Sequence, residues 1–246
     1  MITSKQNSFI KEIRSLSDKK FRDKLNLYVA TGAKLVNEAI YLSLPIYAVV
    51  GTEKGLAETI KTDKRVETVS EEVFSSISQE VTPQGVIAVI EKPENILVSP
   101  KGSCLLLDGV SDPLNVGAII RTAAASGYNS IYMTEDCADP FSPKAVRASM
   151  SGVFRVKIVR ADRQSLLQVI NKPIIVADMN GEDIYSTNIE GDFCLVIGNE
   201  GHGVSSEIES RAQKTVSIPM QNGVESLNAA VSAGLLMYGL KHTKKV

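Results

Sequence analysis

The sequence predicts an α/β protein in two parts, a small α/β unit followed by a larger one built on a parallel sheet. Three observations predict this. β-rich runs alternate with helical stretches along the 246 residues. A polar, proline-punctuated stretch at residues 93–101 interrupts the alternation. From Ser103 onward the strands become near-continuous apolar runs, as strands covered on both faces do.

In the first part, residues 27–31, 46–51, 66–69 and 85–91 have strand character, and residues 32–42 and 70–78 have helical character. The stretch Lys92-Pro93-Glu94-Asn95, with Pro100-Lys101-Gly102 close behind, suits a linker. The expected division is therefore residues 1–92, a linker at 93–101, and a second domain at 102–246. In that domain the expected strands are residues 104–107, 130–133, 156–159, 174–177, 194–197 and 216–218, most of them separated by helical segments. A last helix over about 226–241 places Leu227, Ala230, Val231, Gly234, Leu235 and Tyr238 on one stripe, a face for the core or for a second subunit. Its basic tail, Lys241-His242-Thr243-Lys244-Lys245, suits a helix C-terminus facing its own dipole.

Composition excludes several classes. With 43% hydrophobic and 22% charged residues and no apolar run near the roughly 20 residues of a membrane helix, a soluble protein is expected. Lys5, Lys11 and Arg14 are interleaved with Phe9, Ile10 and Ile13, unlike the ordered regions of a secretory signal, so the cytoplasm is the expected location. Three cysteines without a C-x-x-C pair and only two histidines give no basis for a metal, and none is expected. Cys104 and Cys194 lie in apolar runs and read as buried thiols. A net charge of −1 does not announce a nucleic-acid binder. The first 35 residues nevertheless carry eight basic side chains against three acidic ones, an excess suited either to tracking phosphates or to a solvated helix face.

Three segments carry the chemistry. The first strand of the second part runs into Asp108-Gly109-Val110-Ser111-Asp112-Pro113-Leu114-Asn115-Val116-Gly117 instead of G-x-G-x-x-G, and then into a helix. Arg121 lies off that helix's apolar stripe of Val116, Ile119, Ile120 and Ala123, and by spacing alone it is a surface arginine. The second segment is Val196-Ile197-Gly198-Asn199-Glu200-Gly201-His202-Gly203-Val204. Three glycines in six residues let the backbone turn sharply and expose its polar groups. The third is Ile218-Pro219-Met220-Gln221-Asn222-Gly223-Val224-Glu225-Ser226-Leu227-Asn228, where a strand ends and the last helix opens. Ser226 is a candidate N-cap. Ser226 and Asn228 would point about 200° apart in a regular helix, so for both to meet one ligand they must sit in an irregular turn ahead of it.

Taken in order, these segments resemble the three motifs of the SpoU/TrmH family in the SPOUT superfamily, over the chain from about Ser103 to its end. The first part is more loosely similar to the small ribosomal-protein-like α/β domain that binds substrate in several members. The resemblance implies a C-terminal chain threaded into a trefoil knot, an exception to the usual rule against knots. It also implies a homodimer and RNA 2′-O-methylation with S-adenosylmethionine (SAM). Backbone groups of Gly198, Ile218 and Leu227 would hold SAM, with Asn199, Gly201 and Met220 beside them. Arg121 would be the catalytic residue. An arginine is normally a permanent cation, so gripping a phosphate or oxyanion suits it better than acting as a base. Asn115, Ser226 and Asn228 would orient Arg121 or the ribose, and Glu200 would fix the glycine turn or pair with a cation. In Ser142-Pro143-Lys144-Ala145-Val146-Arg147, the neighbouring Lys144 and Arg147 would contact RNA phosphates, a solvated turn being the alternative.

A separate N-terminal domain favours ribosomal RNA over tRNA, since minimal tRNA-modifying members resemble the catalytic half alone. A catalytically idle RNA-binding or ribosome-assembly protein is disfavoured by Asn115, Arg121, Glu200, Ser226 and Asn228 occurring together. A phosphate-binding hydrolase or a dehydrogenase is disfavoured by the absence of both G-x-G-x-x-G and G-x-x-x-x-G-K-[ST].

Overall fold

The computed structural model describes residues 1–80, 82–221 and 226–242. Residues 222–225 of the third motif and residues 243–246 of the basic tail lie outside that range. The chain divides into two units, residues 1–93 with 139–154, and residues 94–138 with 155–246.

The first unit starts with two short helices, α1 (Ser8–Ser15) and α2 (Lys19–Leu25). The side chains of Asn7 and Asp18 accept hydrogen bonds from the otherwise unpaired first amides of these helices. There follow β1 (Leu27–Thr31), α3 (Ala33–Tyr41), β2 (Ile46–Gly51), α4 (Glu53–Ala57), β3 (Val66–Thr68), α5 (Glu71–Ile77) and β4 (Val86–Glu91). The sheet order is β1-β4-β2-β3, antiparallel except where β2 meets β3. Val29 pairs with Val89 and Val50 with Ile87. These side chains form a core with Ile10, Ile13 and Leu16 near α1 and with Val73 and Phe74 of α5.

The second unit holds β5 (Cys104–Leu107), α6 (Pro113–Ser126) and β6 (Ser130–Thr134). Next in sequence come α7 (Pro143–Ser149) and a 3₁₀ turn (Met150–Phe154), which both belong to the first unit. The second unit resumes with β7 (Lys157–Ala161), α8 (Arg163–Val169), β8 (Ile174–Asp183), β9 (Cys194–Ile197), α9 (Ser206–Glu209), β10 (Ala212–Ser217) and α10 (Ala229–His242). Its six strands run β10-β8-β9-β5-β6-β7, every neighbouring pair parallel. The central strands β5 and β9 are buried at every residue, which is why their sequences are continuously apolar.

Two departures from the expected elements shape the site. β8 runs to Asp183, and its pairing with β10 jumps from Val176 opposite Thr215 to Glu182 opposite Val216, so residues 177–181 bulge from the ladder. A Cβ at Gly181 would lie 2.5–2.7 Å from the backbone of Thr215 and Val216, so this crossing admits only glycine. The second departure concerns α10, which starts at Ala229 and not near residue 226, leaving Ser226, Leu227 and Asn228 ahead of it. The stripe of Val231, Leu235 and Tyr238 is exposed, while Ala233, Leu236, Met237 and Leu240 form the buried face. The helix is apolar nearly all round, so hydrophobic period alone does not choose its inner face.

Within the first unit, residues 139–154 are held by a buried ion pair. Arg22 donates from Nη2 and Nε to Asp139 Oδ2 at 2.6 and 2.9 Å, and from Nη1 to the carbonyls of Leu16 and Ser17. Tyr28 packs on Phe141 with ring centroids 5.0 Å apart. In the second unit, Asn95 extends the edge of β7, donating to Arg160 O and accepting from Arg160 N, both at 2.8 Å. Among the described residues no helix is long and apolar enough to cross a membrane. All three cysteines are buried and free.

Candidate active site

In an open parallel sheet, ligands bind beyond the carboxyl ends of the strands, where the strand order reverses. Here the chain runs outward from β5 through β6 and β7, then crosses to the other side of β5 for β8, β9 and β10. Beside the bulge of β8 and beyond the ends of β9 and β10 lies a cavity of about 600 Å³, within the range of small-molecule and cofactor sites. Ile197, Ile218, Met220, Leu227 and Leu236 give it an apolar lining, and the carboxylates of Asp178 and Glu200 stand on its wall.

The glycine turn after β9 is closed by two backbone hydrogen bonds, Asn199 N–H to Gly203 O at 2.8 Å and Gly203 N–H to Asn199 O at 3.0 Å. Gly203 has φ +71°, a conformation that favours glycine. A Cβ at Gly198 would stand 2.3 Å from the Gly203 carbonyl carbon and 2.5 Å from Val204 N. Those are backbone atoms and cannot rotate away. Asn199 organises the interior of the turn, its Oδ1 accepting from the amides of Gly201 and His202 and its Nδ2 donating to Gly109 O at 2.7 Å. Gly198, Asn199, Glu200, Gly201 and Gly203 all line the cavity.

A chain of side-chain hydrogen bonds joins the three motif segments. Asn228 Nδ2 donates to Asn115 Oδ1 at 2.9 Å, and Asn115 Nδ2 donates to Glu200 Oε1 at 2.8 Å. The other oxygen of Glu200 accepts from the amide and hydroxyl of Ser111, each at 3.2 Å. Burial pushes the Glu200 carboxyl upward. The hydrogen bonds from Asn115, its own backbone and Ser111 outweigh that and hold it below the usual glutamate range. Asn228, not Ser226, caps α10, its Oδ1 accepting from the amides of Ala230 and Val231. Ser226, Leu227 and Asn228 precede the helix, and all three line the cavity, as do Ile218 and Met220.

The remaining expected residues lie outside this constellation. Arg121 is on the exposed face of α6 and is absent from the cavity wall; among the described residues it makes no hydrogen bond or ion pair. Lys144 and Arg147 are exposed on α7, in the first unit, where Arg147 Nη1 stands 3.9 Å from Glu80 Oε1. Among the described residues no group of three or more histidine, cysteine, aspartate or glutamate side chains is placed to hold a metal ion.

Residues 102–238 match the SpoU rRNA methylase family, more than half of the chain. The chain belongs to the SpoU rRNA methylase family. Residues 7–88 of this SpoU-family protein match the MRM3-like substrate-binding domain. It is 31% identical over 245 residues to the 23S rRNA (guanosine(2553)-2′-O)-methyltransferase RlmP of Bacillus subtilis, covering 98% of each chain. To the 23S rRNA (guanosine-2′-O-)-methyltransferase RlmB of Neisseria meningitidis it is 30% identical over 177 residues, covering 67% of this chain and 71% of that one. Among solved structures, the AdoMet-bound rRNA methyltransferase of Sinorhizobium meliloti superposes with a TM-score of 0.88 at 31% identity, over 100% of this chain and 98% of that one.

Sequence reasoning missed two residues that line the cavity of this SpoU-family protein and one that lies behind it. Asp178 reaches the cavity only because residues 177–181 bulge from β8, and nothing in a polar Asp-Met-Asn-Gly run marks a bulge in a strand. Ser232 lines the cavity from the first turn of α10. Asp108 carries a usable signal: a carboxylate directly after four buried strand residues, at the carboxyl end of a parallel sheet, is 1% exposed.

Proposed function

We propose that this protein transfers a methyl group from SAM to a ribose 2′-hydroxyl of RNA, with ribosomal RNA as the substrate class. The observation that carries this is the convergence of the glycine turn and the segment ahead of α10 on one cavity at the carboxyl end of the sheet, with Asn115 bonding the two together behind its wall. The residues present fit SAM. The apolar lining of Ile197, Ile218 and Leu227 suits a flat base, the open backbone of the glycine turn suits polar groups, and the carboxylates of Asp178 and Glu200 suit a cationic ligand. When bound, SAM supplies a methyl group on a sulfonium sulfur that is already a good leaving group. The protein's task is to aim the 2′-oxygen at that carbon, the hydroxyl proton leaving to solvent water as the methyl is transferred. Glu200, ionised and held by Asn115 and Ser111, fixes the turn. Asn228 ties the start of α10 to the same network, and Ser226 lies beside it to orient the ribose. Arg121, an exposed guanidinium without a partner among the described residues, grips the target phosphate or the developing oxyanion.

The first unit binds the RNA, with Lys144 and Arg147 of α7 contacting phosphates. The exposed apolar face of Leu114 on α6 and Val231 and Leu235 on α10 packs against a second copy, making the protein a homodimer. The proposed place of work is the cytoplasm. The test is Arg121→Ala, assayed in parallel for SAM binding by calorimetry and for methyl transfer to RNA. SAM affinity within about twofold of wild type with transfer abolished is expected. Retained turnover would remove Arg121 from the mechanism, and absence of SAM binding by the wild type would remove the whole reading.

A further inference from the structure

Asp108 is a buried carboxylate that the proposed chemistry does not use. Its backbone amide continues the β5–β9 ladder, donating to Ile197 O at 2.9 Å, and its side chain is shared between two elements. Oδ1 accepts from Arg163 Nε at 2.8 Å, at the first residue of α8, and Oδ2 accepts from the Ser205 amide at 2.7 Å, directly after the glycine turn. The other arm of the Arg163 fork, Nη2, donates to Asp136 Oδ2 at 2.6 Å.

Burying an ionised carboxylate costs several kcal/mol unless it is paired and hydrogen-bonded, and a neutral acceptor would satisfy one amide as well. A charge is called for where one group must hold two elements in a fixed relation. The glycine turn is tied to the loop after β5 at three points: Asn199 to Gly109, Glu200 to Ser111, and Ser205 to Asp108. Only the last of these holds the far end of the turn, where the chain leaves the cavity for α9. We propose that Asp108 is a positioning residue for cofactor binding: it acts through the Ser205 amide to fix the exit of the glycine turn, with Arg163 setting the orientation of its carboxylate. This rests on reading the cavity as the SAM site.

Two variants of the full chain test it. Asp108→Asn removes the charge that pairs with Arg163 while keeping the side-chain shape. Ser205→Pro removes the amide donor together with a hydroxyl that makes no hydrogen bond among the described residues, at a residue whose φ of −66° proline already matches. SAM binding is measured by calorimetry, KM and kcat by methyl transfer, and folding by thermal unfolding. Each variant is expected to raise the Kd and KM for SAM roughly tenfold or more, as loss of a hydrogen bond to a charged group does, with kcat at saturating SAM within about threefold of wild type. If KM for SAM is unchanged while the melting temperature or the active fraction falls, Asp108 is merely structural and the proposal is overturned. Should Asp108→Asn not fold, Ser205→Pro alone decides between these outcomes. Wild-type protein that binds no SAM would refute the cavity assignment itself, a result distinct from wild-type binding with variants that match it.

Discussion

Replacing Asn115 with alanine removes a side chain that hydrogen-bonds to both of the other motif segments. Asn115 is 8% exposed, accepts from Asn228 and donates to Glu200. A neutral hydrogen bond contributes about 0.5–1.5 kcal/mol and one to a charged group about 1.5–3 kcal/mol, so the gross loss is about 2–4 kcal/mol. Glu200 is exposed, and water will replace part of what its carboxylate loses. Asn228 keeps its capping bonds to α10. The net effect should therefore lie near the lower end, about 1–2 kcal/mol, which is roughly a tenfold weakening if it falls on the cofactor site. Calorimetric titration with SAM measures it directly. The same variant should raise the carboxyl pKa of Glu200, because it removes the largest of the influences that lower it. A depressed carboxylate pKa contributes stability at neutral pH that is lost as pH falls through the folded-state value. In Asn115→Ala that contribution should be smaller and fully lost at a higher pH than in wild type, and a carboxyl NMR titration follows it. SAM affinity within twofold of wild type, together with an unshifted Glu200, would refute the idea that the Asn228–Asn115–Glu200 chain builds the site.

Gly198→Ala should abolish measurable SAM binding while leaving far-UV circular dichroism unchanged, because the new Cβ would stand 2.3 Å from the Gly203 carbonyl carbon and force the turn open. Arg22→Met should destabilise the first unit by about 1.5–3 kcal/mol in denaturant unfolding, since it removes the charged hydrogen-bond donor to a carboxylate that is 7% exposed; a loss below about 1 kcal/mol would mean the Arg22–Asp139 pair does not anchor residues 139–154. Asp23 should titrate at about 2: burial raises its carboxyl, but the hydrogen bonds of Lys19 and Lys92 more than offset it. Its contribution to stability, present above the ordinary aspartate value, is lost only as pH falls through about 2, and a carboxyl chemical shift with a midpoint near 4 would contradict the pairing.

Much of the fold was legible because its strongest signal is local. The apolar runs at residues 27–31, 104–107 and 194–197 are strands with those same bounds, since strands buried on both faces leave no room for polar residues. Where geometry overrides composition, the local sequence carries no sign of it. β8 continues to Asp183 through Asp178, Asn180 and Gly181, residues with little strand character, because the bulge and the crossing with β10 dictate them. Lys241, expected to face the end of its own helix, instead donates from Nζ to the carbonyls of Ser126 and Gly127 at the end of α6. Nothing within α7 marks it as part of the first unit. It lies in sequence between β6 and β7, and the ion pair that anchors its segment spans 117 residues. The site divides in the same way. The glycine turn and the irregular segment ahead of α10 were visible as spacing, whereas the bond between Asn115 and Glu200 joins residues 85 apart and leaves no trace in either neighbourhood. Ser226 was the more conspicuous N-cap candidate, yet Asn228 caps the helix and hands its amide to Asn115 as well.

The most direct test of the central claim is methyl transfer from labelled SAM to total RNA from cells lacking this protein, with the product fractionated and hydrolysed in alkali. The account predicts label in ribosomal RNA, at one linkage that resists alkaline cleavage because its 2′-oxygen is methylated. Label on a base, label confined to tRNA, or no transfer to ribosomal RNA or its precursor particles by protein that binds SAM would contradict it.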